Sequence, residues 1–237
     1  MIHVHGLAKS FGRRAVFAGV DFSVKKGDFL TIVGPNGAGK TTLLKIMATL
    51  LRATSGDAEI GGFDVKNSPE KVRGIIGVIS HNTYLYGELT AYENLKFFGR
   101  MYETRGVDAR IDDVLKQTDL LSEKHSRVGM FSRGMKQRLS IARAIFHHPS
   151  VLLLDEPYTG LDQHASASLE GVLSSLTGSG ITTVMVSHDL SRGLLLCDHL
   201  LIMAAGGVAY HAPASEIADV DELQALYSRC VDAGGGE

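Results

Sequence analysis

The segment Gly34-Pro35-Asn36-Gly37-Ala38-Gly39-Lys40-Thr41-Thr42 decides the fold of this chain. An apolar, β-rich run at residues 29–33 precedes it, and apolar residues at helical spacing follow it from position 43. Glycines let a backbone wrap closely around an anion, and the N–H groups at a helix N-terminus attract negative charge. Because the G-x-x-x-x-G-K-S/T pattern lies between a strand and a helix, it predicts a nucleoside triphosphate site.

The residues of this loop are expected to contact different parts of the nucleotide and its Mg²⁺ ion. The loop from Gly34 to Thr42 is expected to surround the phosphates. Lys40 is expected to reach the β and γ phosphates, and the Thr41 hydroxyl to bind a Mg²⁺ ion. Phe11 lies between the first two predicted strands, and two interpretations of it stay open: it stacks on a purine ring, or it belongs to the core.

Composition excludes several classes of function. The 237 residues are 44% hydrophobic and 21% charged, with a net charge of -2, so we expect no nucleic-acid partner. Cys197 and Cys230 form neither a disulfide framework nor a zinc motif, which indicates a reducing compartment. We expect no export signal and no membrane span, since no run of about 18 apolar residues occurs. A membrane role therefore requires a partner.

The predicted elements describe one domain over residues 1–237. Alternating residues in the first 24 positions and a Gly61-Gly62 turn predict antiparallel strands, and residues 75–80 predict a central strand. Residues 85–148 are expected to form a helical insert, and residues 233–237 a flexible tail.

Within the insert, Thr90 and Glu93 form a predicted capping box that begins a helix. The apolar face of this helix is expected to be Leu95, Phe98, Met101 and Tyr102. Further helices are expected to begin near Asp108 and Ser132.

Two carboxylates follow a second buried strand. Residues 151–154 are continuously apolar, as in a parallel strand covered on both faces, and Asp155 and Glu156 come next. Ligands of such sheets bind beyond the carboxyl ends of the strands. Alternation along the strand predicts that Asp155 holds Mg²⁺ while Glu156 faces the water that attacks the γ-phosphate. His188 ends another predicted strand at the same edge and is expected to contact the γ-phosphate rather than serve a structural role.

Five motifs in order give the chain a specific resemblance. They are Gly34–Thr41, Phe131-Ser132-Arg133-Gly134-Met135, Leu152-Leu153-Leu154-Asp155-Glu156-Pro157, Gly160-Leu161-Asp162 and Ser187-His188-Asp189. Over nearly its full length the chain resembles the ATP-binding subunit of an ABC transporter.

The resemblance implies an α/β P-loop NTPase fold with a mainly parallel core sheet, an antiparallel β subdomain and a helical insert. It implies ATP and Mg²⁺ as cofactors, and a head-to-tail dimer or paired ATPase subunit with two ATP molecules between the copies. Ser132, Gly134 and Met135 then face the nucleotide held by the partner. Glu156 polarises the attacking water, His188 senses the γ-phosphate, and Asp162 connects the two sites. An integral membrane permease is the implied partner, at the cytoplasmic face of the cell membrane.

Two motifs depart from the pattern of that family. Its signature usually reads Leu-Ser-Gly-Gly-Gln, whereas Arg133 and Met135 replace the first Gly and the Gln here. The family's magnesium-contacting Gln has no counterpart in Ser80-His81-Asn82-Thr83. Depending on register, His81 or Asn82 takes its place and reaches Mg²⁺ through a water.

The variants within the motifs resemble the haem exporter ATPase of cytochrome c maturation, which implies haem export. The alternatives are an exporter of drugs, polysaccharides or lipids, and a soluble ABC ATPase of translation or DNA repair, which usually needs a longer chain. A switch GTPase is disfavoured because the Asn-Lys-x-Asp motif is absent. An aromatic cluster near the insert is either core or the docking site of the membrane partner: Tyr84, Tyr86, Phe97, Phe98 and Tyr102.

Overall fold

The computed structural model describes residues 1–80 and 82–234. In this part of the chain the strands are β1 (Ile2–Phe11), β2 (Arg14–Val24), β3 (Phe29–Val33), β4 (Ser55–Ile60), β5 (Phe63–Asp64), β6 (Ile76–Ile79), β7 (Val151–Asp155), β8 (Thr182–Val186), β9 (His199–Ala204) and β10 (Gly207–Pro213). The helices are α1 (Lys40–Met47), α2 (Pro69–Ile75), α3 (Ala91–Met101), α4 (Val107–Gln117), α5 (Arg133–Ala144), α6 (Gln163–Gly178), α7 (Leu190–Leu195) and α8 (Val220–Gly234).

The strands form two sheets of different kinds. The four-stranded sheet has the order β2-β1-β4-β5, and every neighbouring pair in it is antiparallel. The six-stranded sheet has the order β10-β9-β3-β8-β7-β6, and only β10 runs against its neighbour. A mainly parallel sheet beside an antiparallel one, with helices α3 to α5 inserted between β6 and β7, confirms the predicted α/β fold class.

The strand β7 shows how the apolar runs become core. Val151 and Leu153 pack on the side of α1 and the antiparallel sheet, whereas Leu152 and Leu154 pack on the side of α5 and α6. All four side chains are fully buried. Burial of a Val or Leu side chain contributes about 1.5–3 kcal/mol. Both faces of the parallel sheet therefore need apolar residues, as the continuous run predicted.

Strand register brings the predicted site residues to one edge. Ile32 of β3 and Asp155 of β7 both pair with Val186 of β8, so the three strands end at nearly the same level. The residues that follow these strands, including Glu156 and His188, therefore meet beside the phosphate loop.

The prediction of a central strand at residues 75–80 was wrong. Residues 76–79 form β6, which lies at the edge of the six-stranded sheet and, among the described strands, pairs only with β7. Helices α2 and α5 pack against it, and Ala144 O lies 2.4 Å from where a Cβ on Gly77 would stand. A β-branched run indicates a buried strand but does not indicate its place in the sheet. Helices α2 and α5 bury β6 even though it pairs with a single described strand.

The predicted apolar face of α3 was partly wrong. The capping box of Thr90 and Glu93 forms as predicted, and Leu95 is fully buried. Met101 and Tyr102, however, are 66% and 46% exposed. The buried face instead includes Asn94, whose side-chain amide donates to Tyr86 O at 3.0 Å and Thr90 O at 3.0 Å, and Gly99, whose face Phe146 covers.

Three smaller expectations can also be compared with the structure. Gly106 in the left-handed conformation precedes α4, while Asp108 lies in its first turn and accepts a hydrogen bond from Tyr92 Oη. Of the predicted tail, residues 233 and 234 belong to α8, and residues 235–237 lie outside the described part of the chain. Among the helices described, none has the length and hydropathy to cross a membrane.

Candidate functional site

The phosphate loop joins β3 to α1 in a conformation that only glycine fits. Gly34 has a φ of 154°, and a Cβ there would stand 2.2 Å from Met203 O. Gly39 precedes α1 with a φ of 95°, and a Cβ there would stand 2.7 Å from a ring carbon of Phe17. The first N–H groups of α1 point into the loop without a side-chain cap, so they are available to an anion.

Lys40 is folded back onto its own loop. Its Nζ donates to Gly34 O at 2.7 Å and to Pro35 O at 2.9 Å. Burial lowers the pKa of Lys40 from its ordinary value, while the carboxylates of Glu156 and Asp155 oppose that change. The ammonium group is thus held in the centre of the loop.

Thr41 and Asp155 meet across the sheet edge although 114 positions separate them. The Thr41 hydroxyl donates to Asp155 Oδ1 at 2.9 Å. Asp155 is the last residue of β7 and is 8% exposed. The hydroxyl oxygen of Thr41 and the carboxylate of Asp155 lie side by side, and such oxygen ligands suit a hard cation such as Mg²⁺.

Glu156 and His188 form a pair beside the loop. Glu156 Oε2 lies 2.5 Å from His188 Nδ1. The backbone of Glu156 is left-handed, with a φ of 53°, and its N–H donates to Val186 O at 3.0 Å. A non-glycine residue in this region costs about 1–3 kcal/mol, so the surrounding backbone must hold Glu156 in this conformation.

An open cavity of about 570 Å³ lies over the loop. Phe11 lines it with its ring 53% exposed and with Lys9 Nζ 4.7 Å from the ring centroid, which excludes the core interpretation of Phe11. The cavity is lined by Phe11, Arg14, Ala15, Val16, Asn36, Gly37, Gly39, Lys40, Thr41, Thr42 and Glu156. Residues 14–16 carry no motif and were not predicted to belong to the site; they reach the cavity because β2 begins there.

Of the alternatives at positions 81 and 82, Asn82 lies in the described part of the chain and does not line this cavity. Asn82 is exposed, its carbonyl accepts from Ser80 Oγ at 2.8 Å, and its side chain does not line the cavity. His81 lies outside the described residues. The assignment of Asn82 to Mg²⁺ therefore has no support from the geometry of this chain.

The signature residues lie in a second cavity of about 130 Å³. Ser132 caps α5 and accepts from Met135 N at 3.2 Å, and Asp162 caps α6 and accepts from Ala165 N at 2.7 Å. Gly134 brings these two helix ends together, because a Cβ on it would stand 2.7 Å from Ala165 Cβ. None of the residues lining this cavity lines the first one.

Arg133, the departure from the usual signature, lies over the loop before α6. Its guanidinium carbon is 2.5 Å from the position a Cβ on Gly160 would take. Gly160 has a φ of 72°, a value that favours glycine.

A glycine-rich loop between a parallel strand and a helix, with carboxylates at the end of a neighbouring strand, defines the class of P-loop nucleoside triphosphatases. The family model described as ABC transporter matches residues 17–159. The chain therefore belongs to the ATP-binding subunits of ABC transporters.

Individual relatives agree with this assignment. A daunorubicin resistance ATP-binding protein of Streptomyces coeruleorubidus is 36% identical over 218 residues, covering 91% of this chain and 69% of that protein. Nod factor export ATP-binding protein I of Rhizobium meliloti (strain 1021) is 36% identical over 207 residues, covering 86% and 62%.

A solved dimeric structure of an ATP-binding cassette in a post-hydrolysis state, bound to ADP and Pi, superposes with a TM-score of 0.80. It is 26% identical and covers 90% of this chain and 99% of that one. Members of this family bind and hydrolyse ATP, and this chain is an ATP hydrolase.

Proposed function

We propose that this chain hydrolyses ATP to power export through a separate integral membrane permease. The observation that carries the proposal is the Glu156–His188 pair, at 2.5 Å, beside a loop shaped for phosphates. Glu156 accepts a hydrogen bond from the attacking water and takes its proton. His188 contacts the γ-phosphate, and Lys40 neutralises the β and γ phosphates from within the loop. Phe11 stacks on the adenine at the open end of the cavity.

Mg²⁺ fits the oxygen pair of Thr41 and Asp155, which already lie 2.9 Å apart. When bound there it would neutralise phosphate charge. Asp155 and Thr41 are held in place by β7 and α1, so the ion would need little rearrangement of this chain.

The two separate cavities support a head-to-tail dimer. In one copy, Ser132 and Asp162 surround a cavity that has no triphosphate loop of its own. The N–H groups at the N-terminus of a helix attract anions. In a dimer, the α5 end of one copy covers the ATP held by the loop of the other. The similar structure bound to ADP and Pi is dimeric, which supports the pairing of two copies.

A groove between the core and the inserted helices supports a site for the permease at the cytoplasmic face of the membrane. It measures about 500 Å³, and Leu50, Phe98, Tyr102, Arg143 and His147 are among its lining residues. Leu50 is 68% exposed. Tyr102 stacks on His147 with the ring centroids 4.2 Å apart, which gives the groove a flat aromatic wall. Exposed apolar side chains along a groove are typical of a protein interface.

The relatives favour an exporter of a drug or of another small molecule over haem export. Their names refer to daunorubicin resistance and to Nod factor export. The resemblance of the motif variants to the haem exporter ATPase gains no support from these names. We therefore propose the more general exporter assignment.

Recovery with the membrane fraction tests the coupling to a permease. The chain is expressed with and without a candidate membrane permease, and Leu50→Glu is compared with Leu121→Glu, another exposed leucine. We expect recovery only with the membrane subunit, a loss of about tenfold for Leu50→Glu, and no loss for Leu121→Glu. Equal recovery of all three proteins would contradict the docking groove, and association with ribosomes or DNA alone would contradict transport.

A further inference from the structure

Arg192, in the short helix α7, contacts three separate segments of the chain. Its Nη1 donates to Glu170 Oε1 of α6 at 2.7 Å, and its Nε lies 3.3 Å from Asp189 Oδ2. Its guanidinium lies 5.2 Å from the ring centroid of Tyr158. One planar cation is thus bonded on two sides and stacked on an aromatic face.

The segments that Arg192 joins are those that carry the Glu156–His188 pair. Asp189 follows His188 directly, and Tyr158 lies two residues after Glu156. These two loops leave neighbouring strands β8 and β7. Asp189 is itself fixed, since its Oδ1 accepts from Arg192 N at 3.0 Å. The guanidinium therefore links the loop after β7, through Tyr158, to the loop after β8, through Asp189 Oδ2.

Tyr158 depends on this contact for its position. The ring is 8% exposed, and its hydroxyl has no hydrogen-bond partner among the described residues. Burial raises the pKa of Tyr158 well above its ordinary value, so the phenol stays neutral. A buried phenol without a partner is held by packing alone, and the guanidinium of Arg192 covers its ring.

Arg192 lies outside the cavity over the phosphate loop. It therefore has no direct contact with a nucleotide held there. Any effect on turnover must pass through the residues that it holds.

We propose that Arg192 is a positioning residue for ATP hydrolysis, which ties the loop after β7 to the loop after β8 and so sets the distance between Glu156 and His188. The proposal rests on the roles proposed above for that pair. A displacement of about 1 Å of a catalytic group lowers a rate by up to about 10²-fold. Binding of ATP, in contrast, depends on the loop at residues 34–42. Substitution of Arg192 is therefore expected to change the rate of hydrolysis without changing the affinity for ATP.

The test compares Arg192→Met, which keeps the aliphatic stem, with Arg192→Lys and with Arg110→Met as a matched control. Arg110 is a largely buried arginine that bonds Phe146 O and Ile145 O, away from both cavities. For Arg192→Met we expect kcat to fall about 10–100-fold, with KM for ATP within about twofold. Arg192→Lys recovers part of kcat, because it keeps the charge beside Glu170. Arg110→Met lowers the melting temperature but leaves kcat unchanged.

A double variant separates positioning from general destabilisation. In a His188→Ala background the pair no longer exists, so Arg192→Met is expected to lower the residual kcat by less than about threefold, a clear departure from additivity. The same fold-loss in both backgrounds, or a kcat loss for Arg110→Met equal to that for Arg192→Met, would overturn the proposal. If His188→Ala and Glu156→Gln leave turnover unchanged, the proposed function fails. If these two lower turnover and Arg192→Met does not, only the positioning role fails.

Discussion

Replacement of Glu156 by glutamine separates hydrolysis from binding. The amide keeps the size and shape of the carboxylate, and the φ of 53° is a property of the loop and not of the carboxyl group. The amide cannot take a proton from water. A positioned general base contributes about 10²–10⁴-fold, which corresponds to about 2.7–5.4 kcal/mol of barrier. We therefore expect kcat to fall by about 10²–10⁴-fold.

ATP affinity should stay within about threefold in the same variant. Glu156 acts to raise the pKa of Lys40, but the proposed phosphate contacts come from the loop and Lys40. Phosphate release in a single turnover measures the chemical step, and a fluorescent ATP analogue measures affinity. A Glu156→Gln protein that hydrolyses ATP within twofold of the parent rate would refute the assignment of the base.

Three further variants test the cavity. Lys40→Ala should weaken ATP binding by at least about 100-fold in calorimetry, since the Nζ held by Gly34 O and Pro35 O is the cation of the loop; unchanged affinity would contradict this. Phe11→Ala should weaken ATP about 5–150-fold, the value of about 1–3 kcal/mol for a stacked base, but leave inorganic triphosphate binding unchanged; equal losses for both ligands would argue against stacking. Gly34→Ala should lower the free energy of unfolding in denaturant by about 1–3 kcal/mol more than Gly62→Ala does. Gly62 also has a positive φ, but a Cβ there would meet open space. Equal losses would contradict a clash with Met203 O.

Local patterns were sufficient to predict the parts of the fold that depend on neighbouring residues. The phosphate loop and the Thr90 capping box need only a few adjacent positions. The apolar run of β7 predicted burial on both faces, since that burial follows from side-chain chemistry alone. Thr41 and Asp155, each predicted separately to bind Mg²⁺, lie in contact because parallel strands place their carboxyl ends at one edge.

Properties that depend on distant segments were not predictable from local patterns. The edge position of β6 depends on helices covering it, and the exposure of Tyr102 depends on the angle at which α3 meets the core. The sequence left two interpretations of Phe11, and its exposure at the cavity excludes the core interpretation. Arg192 belongs to no motif, and its partners lie 3, 22 and 34 positions away in the chain.

The central claim is that a complete ATP site requires two copies of this chain. The mass of the Glu156→Gln protein in saturating ATP and Mg²⁺ tests this claim most directly. Light scattering after size exclusion should give twice the 25.4 kDa of one chain with ATP, and a single chain with ADP. Adding Ser132→Glu, which places a negative charge at the α5 end proposed to cover the partner's phosphates, should abolish the dimer and leave ATP affinity intact. A mass of 25.4 kDa at saturating ATP, or a dimer unaffected by Ser132→Glu, would contradict the account.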